Sequence, residues 1–166
     1  MRWMRERLEK EEGFTLIELM VVVLIIAILV AIAIPSFLGF RSRAQDRAVQ
    51  AELRNVLLAE KGVWVDNTSF TTVEADLKAF ESSIILDDSS TSTVEEGVVV
   101  AMSVSSNDDV VCLTRTSDSG SIFAIFEDSS ATGGTFYNAV ASGTTLACPT
   151  AAGAPTGWVT GGFPTP

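Results

Sequence analysis

From Leu19 to Ile34 the chain runs through sixteen apolar residues without a polar break. Between Phe14 and Phe40 its one charged side chain is Glu18. These 27 residues would reach roughly 40 Å as a helix, against a bilayer core of about 30 Å. A segment that leaves water must satisfy every backbone group internally, which selects a helix. A carboxylate in such a segment costs roughly 2.5–3.5 kcal/mol at mid-membrane and less near an edge. Pro35 removes one helical hydrogen bond and crowds the Ala31 carbonyl, and Gly39 weakens the following turn. A kink or loosened turn is therefore expected over residues 35–39. A secretory signal peptide would need a shorter apolar core and a small-residue cleavage site, whereas Ile34-Pro35-Ser36-Phe37 follows here. Arg2, Arg5, Arg7 and Lys10 before the span are nearly balanced by Arg41, Arg43 and Arg47 after it, so charge does not set its orientation.

The remaining charge is unevenly spread. The net value is −10 over 166 residues, yet residues 1–13 sum to zero. Residues 41–61 hold five basic and three acidic side chains; from Val63 onward Lys78 and Arg115 face 13 acids. So acidic a head repels nucleic acid and anionic lipid and favours solubility. The chain has no His, which removes Ser-His and Cys-His nucleophile pairs. Two Cys without His do not complete an ordinary structural zinc site. Asp87-Asp88 and Asp108-Asp109 lack the spaced ligands of a calcium loop, and no phosphate loop or metalloprotease motif is present. The reading is of a non-enzyme with no cofactor and no metal.

Gly13-Phe14-Thr15-Leu16-Ile17-Glu18, the apolar stretch and Pro35 together resemble the type IV prepilin signature. That family includes type IV pilins, minor pilins and the pseudopilins of type II secretion and competence systems. The resemblance covers residues 13–61. It implies a cytoplasmic leader, 1–13, cut between Gly13 and Phe14 by a membrane peptidase that also N-methylates the new Phe14 amine. It implies a single-pass inner-membrane precursor that later enters an extracellular helical filament of like subunits, with an assembly platform and minor pilins as partners. The leader departs from the pattern in carrying no net positive charge. The chemistry agrees with the signature: Gly13 leaves the backbone open to a protease, and Glu18 lies near the positive end of the helix dipole. In a filament Glu18 would neutralise the Phe14 amine of a neighbour, a registry device more than a source of net stability.

Beyond Phe40, Val49, Leu53, Val56, Leu57 and Glu60 recur at helical spacing, the first four as an apolar stripe. Gly62 reads as a helix stop. One helix is thus expected from Phe14 to about Lys61, roughly 70 Å long, with an assembly segment at 14–40 and an amphipathic half at 41–61. Residues 62–166 would form the head. Thr71-Thr72-Val73-Glu74 fits a capping box ahead of a short helix at 72–81. Strands are expected at 97–104, 110–116 and 121–128, with a fourth at 135–140, separated by Ser/Asn/Asp/Gly turns. Helix on antiparallel sheet is an α+β head, as the resemblance also implies. The uncharged tail, 150–166, should be irregular and partly pinned by Trp158 and Phe163, or else flexible. In an exported head Cys112 and Cys148 read as one disulfide, a pin for the C-terminal loop that the resemblance also implies; two buried free thiols are the alternative. Asn67-Thr68-Ser69 fits a glycosylation sequon. The function that follows is a pilus subunit serving adhesion or motility. A secretion or competence pseudopilin is the alternative, and a DNA-uptake pilin is disfavoured by the acidic head.

Overall fold

The computed structural model describes residues 13–86, 99–101, 109–131, 133–149 and 152–166. The leader up to residue 12, the outer parts of the first expected strand and the Asp87-Asp88 pair lie outside these residues. The chain divides into two compact units, residues 1–41 and 42–166.

Helix α1 runs Leu16–Asn67. In the first unit it is apolar and unburied, with Leu16 through Phe40 exposing their large side chains. The helix continues through Pro35 and Gly39, and the Ser36 hydroxyl donates to the Ile32 carbonyl at 3.4 Å. In the second unit the expected stripe is buried: Val49, Leu53, Val56 and Leu57, joined by Ala59, Glu60 and Val63. The helix does not stop at Gly62. A Cβ on that residue would meet the Phe80 ring at 2.7 Å, so Gly62 serves close packing within the helix. Termination comes at Thr68, whose φ of 55° is left-handed, a conformation strained for a β-branched residue. The Thr68 N–H still bonds the Trp64 carbonyl at 2.8 Å.

Helix α2 spans only Glu74–Lys78 and its N-cap is Val73, without a side-chain cap. The expected capping box at 71–74 is not formed. The Thr71 hydroxyl accepts from the Val73 N–H and donates to Asp76, so it braces the approach to the helix.

Strands β1 (Val99–Ala101), β2 (Val110–Thr116), β3 (Ile122–Asp128) and β4 (Gly134–Val140) form an antiparallel meander in that order. Strand side chains alternate between faces. Val111, Leu113, Phe123 and Ile125 meet the α1 stripe, with Phe70 and Leu77 closing the cluster. Val110, Cys112, Phe126 and Phe136 face the other way, against Cys148 and Trp158. Both faces of the sheet are therefore covered, which explains why β2 and β3 read as nearly continuous apolar runs. Cys148 and Trp158 supply the second cover, while Phe163 at the end of the tail packs on the α1 side. Tyr137 and Val159 exchange backbone hydrogen bonds at 2.8 and 3.0 Å, blunting the β4 edge. Phe163 stacks edge-on against Tyr137 and Phe123, 5.0 and 5.6 Å between ring centres. The Arg54 guanidinium lies 5.1 Å from the Phe163 ring centre, and Asp128 accepts the Ser130 and Gly153 N–H groups.

Candidate functional site

Helix α1 begins where the sequence changes from Gly13 to an apolar run, and its first turn is closed by side chains. The Thr15 carbonyl accepts the first helical bond from Leu19 at 3.3 Å. Glu18 Oε2 accepts from the Thr15 N–H at 2.9 Å and from the Thr15 hydroxyl at 2.8 Å. The Glu18 N–H donates back to Thr15 Oγ1 at 3.3 Å. Thr15-Leu16-Ile17-Glu18 is thus a capping box, with Thr15 as N-cap and Glu18 at the third helical position. The carboxylate satisfies donors that a helix start otherwise leaves open and sits at the positive end of the helix dipole. The spacing of a Thr three residues before an acid, ahead of an apolar run, was present in the sequence. Read there as a prepilin signature alone, it concealed this local role.

Around the cap every side chain is exposed. Phe14 is 88 % exposed and Leu16 75 %. In the uncut chain the Phe14 nitrogen is the peptide amide to Gly13, so its cation would arise only on cleavage. An 18-residue window of α1 has a mean hydropathy of 3.3, long and apolar enough to cross a membrane. An apolar surface of this length requires lipid or other protein against it.

In the head, Cys112 and Cys148 are disulfide-bonded with Cα atoms 5.9 Å apart, which selects the bridge over free thiols. The bond ties β2 to the chain entering the tail. A residue that sequence reading took as part of the helical stripe has a distinct setting. Glu60 is fully buried; its Oε2 accepts the Thr71 N–H at 3.2 Å. Its Oε1 has no hydrogen-bond partner among the described residues. Burial, against the Thr71 hydrogen bond and reinforced by the Asp76 charge, pushes its carboxyl up to about 7. Among the described residues no cluster of His, Cys, Asp or Glu is placed to hold a metal ion.

An exposed apolar helix with a capped acid at its start, continued into an α+β head, defines a class of proteins that combine a membrane-length helix with a folded head. The model of the prokaryotic N-terminal methylation motif matches residues 9–34. The chain is 46 % identical over 66 residues to a type IV wide pilus major component of Thermus thermophilus, covering 40 % of this chain and 50 % of that one. It is 40 % identical over 62 residues to a type IV major pilin of Myxococcus xanthus, covering 37 % and 28 %. It is also 31 % identical over 75 residues to a type II secretion system core protein G of Klebsiella pneumoniae, covering 45 % and 54 %. The chain spans about half the length, or less, of these curated relatives. The N-terminal part of the chain thus carries the N-terminal methylation motif and is similar to that of type IV pilins and of a type II secretion core protein.

Proposed function

We propose that the chain is a type IV pilin, a filament subunit of the cell surface serving adhesion or motility. A prepilin peptidase cuts between Gly13 and Phe14 and N-methylates Phe14, so residues 1–13 act as a leader. The precursor is held in the inner membrane by residues 14–40. With the assembly platform and minor pilins it then passes into an extracellular homopolymer. Pro35 and Gly39 allow the helix to bend as it leaves the bilayer. The observation that carries this reading is the exposed apolar run headed by Glu18. The run needs partners of its own kind, and its one acid can meet the Phe14 amine that cleavage releases from a neighbour.

The match to a secretion core protein favours one second reading, a pseudopilin whose short filament serves export. Both readings share the processing and assembly steps.

The test is Glu18→Ala in cells lacking the wild-type subunit. Removing a charge from the span eases insertion, and the cut site five residues upstream is intact. The incoming amine would then be buried without its carboxylate. Processed, membrane-resident subunits with few or no sheared filaments are expected. Intact mass should give a chain starting at methylated Phe14. A mature chain that retains Met1, or normal filament yield from Glu18→Ala cells, would overturn the reading.

A further inference from the structure

The chain that leaves α1 turns back onto it. After the left-handed Thr68, two adjacent residues of the return are held by two residues of the helix. The Phe70 ring lies against the Trp64 indole, 6.4 Å between ring centres and tilted by 37°. The Thr71 N–H donates to Glu60 Oε2 at 3.2 Å. Glu60 and Trp64 are one turn apart on α1, which puts them on one face with Cβ atoms about 5–6 Å apart. Each hold leaves a polar atom over. Glu60 Oε1 and Trp64 Nε1 are both buried, and neither has a hydrogen-bond partner among the described residues. Buried polar groups of folded proteins are nearly all partnered, so an acceptor and a donor orphaned on neighbouring side chains call for a common partner. A direct bond from Nε1 to Oε1 would satisfy both, but it is not made. The Thr71 N–H fixes the carboxylate through its other oxygen, and the Phe70 ring fixes the indole.

The chemistry of the two atoms limits what can join them. An indole N–H only donates, and an ionised carboxylate only accepts. A metal ion or an ammonium group offers the indole no acceptor. An anion offers the carboxylate no donor, and the Asp76 charge, which acts on Glu60, would repel it as well. The occupant must accept and donate at once, and the smallest molecule that does both is water. Two hydrogen bonds of ordinary length through one water oxygen join groups roughly 4.5–5 Å apart, a span that fits side chains one helical turn apart. Waters enclosed in proteins serve polar groups that the chain itself leaves open.

We propose that the head encloses a water molecule that accepts from the Trp64 Nε1–H and donates to Glu60 Oε1. The water completes a ring of contacts through Glu60, Thr71, Phe70 and Trp64, and this ring fastens the end of α1 to the chain returning from it. It gives the carboxylate a second donor beside the Thr71 N–H. It also makes Trp64 a positioning residue, since the indole holds the water that Glu60 uses. The site belongs to the head alone and stands whether the chain serves a pilus or a secretion filament.

The test is nuclear magnetic resonance on the full chain in detergent, isotopically labelled at the tryptophan nitrogens. The chain has three Trp, and loss of one indole signal in Trp64→Phe assigns that of Trp64. Spectra are taken at pH 8, where a carboxyl pushed up to about 7 is mostly ionised and has no proton of its own to exchange. Water-selected NOE and ROE spectra then report whether a long-lived water lies beside the indole proton. The parent should give a cross-peak from water to the Trp64 indole, with the ROE sign of a dipolar contact rather than of direct exchange. Thr71→Val removes a nearby hydroxyl that could relay exchange and should keep the peak. Glu60→Met keeps the bulk without the acceptor and should lose it, with the head disulfide intact. A parent without the peak would overturn the proposal, as would a peak that vanishes in Thr71→Val or one that persists unchanged in Glu60→Met. If Glu60→Met does not fold, the parent and Thr71→Val spectra still carry the test.

Discussion

Glu60 shows how a single residue can link the head's stability to pH. Its side chain on α1 is fully buried, and among the described residues only the Thr71 N–H donates to it. The folded value of about 7 stands above the ordinary value of 4.5. Between these pH values the folded chain holds a proton that the unfolded chain has lost. Stability from this group is thus fully present below pH 4.5 and declines as pH rises through about 7, a loss on the order of 3 kcal/mol. Glu60→Gln keeps the shape and an acceptor for Thr71 but carries no charge. It should raise the urea midpoint at pH 8 and flatten the slope between pH 5 and 8, with little change at pH 4.5. Trp64, one turn along α1 and in contact with the same core, gives the fluorescence signal. An unchanged slope in the variant would show that Glu60 does not carry the dependence.

At the scale of the element, α1 is asked to serve several environments with one geometry. Its start is capped by Thr15 and Glu18, its first half is apolar on every side, and its second half carries a buried stripe. Gly62 illustrates how the second half is fitted. Glycine inside a helix costs about 1 kcal/mol relative to alanine, so replacing an unhindered one would stabilise. Here the Phe80 ring occupies the space that a Cβ would take. Gly62→Ala should therefore destabilise the head by about 1–2 kcal/mol as Phe80 is displaced, and Gly62→Ala/Phe80→Ala should recover part of the loss. Urea midpoints of the single and double variants measure this coupling. A Gly62→Ala chain more stable than the parent would mean that the ring gives way freely.

At the scale of the whole molecule, the head is closed by its tail. Trp158 against Phe126, Phe163 against Tyr137, and the Tyr137–Val159 backbone pair attach residues 158–163. The Cys112–Cys148 bond ties the preceding loop across 36 residues of separation. In the chain-entropy account a bridge of that span contributes about 3–4 kcal/mol. Cys112→Ser should lower head stability by that order and leave cleavage at Gly13 untouched. Oxidised parent, reduced parent and variant can be compared by urea unfolding, with alkylation under unreduced, unfolding conditions as a check on the bond. Equal midpoints for oxidised and reduced parent would show that the tail's other contacts suffice.

Local chemistry made several features legible in the sequence. The apolar run dictated a helix because nothing else satisfies its backbone away from water. The stripe from Val49 to Leu57 followed from helical periodicity, the strands expected at 110–116 and 121–128 from β-branched and aromatic runs between turn residues, and the α+β class from both. The signature from Gly13 to Glu18 located the candidate site. What the sequence left open depended on contacts between distant residues. Gly62 reads as a stop until Phe80, eighteen positions on, is seen lying against it. Thr71 and Thr15 both precede an acid by three residues; only at Thr15 does the helix begin where the box needs it. Glu60 reads as the polar member of the helical series until the structure buries it with the Thr71 N–H as its donor. Trp158 and Phe163 marked the uncharged tail as partly pinned, but without periodicity nothing said which face of the sheet each would meet. Periodicity reports which face of an element is apolar, and only the tertiary structure decides what meets that face.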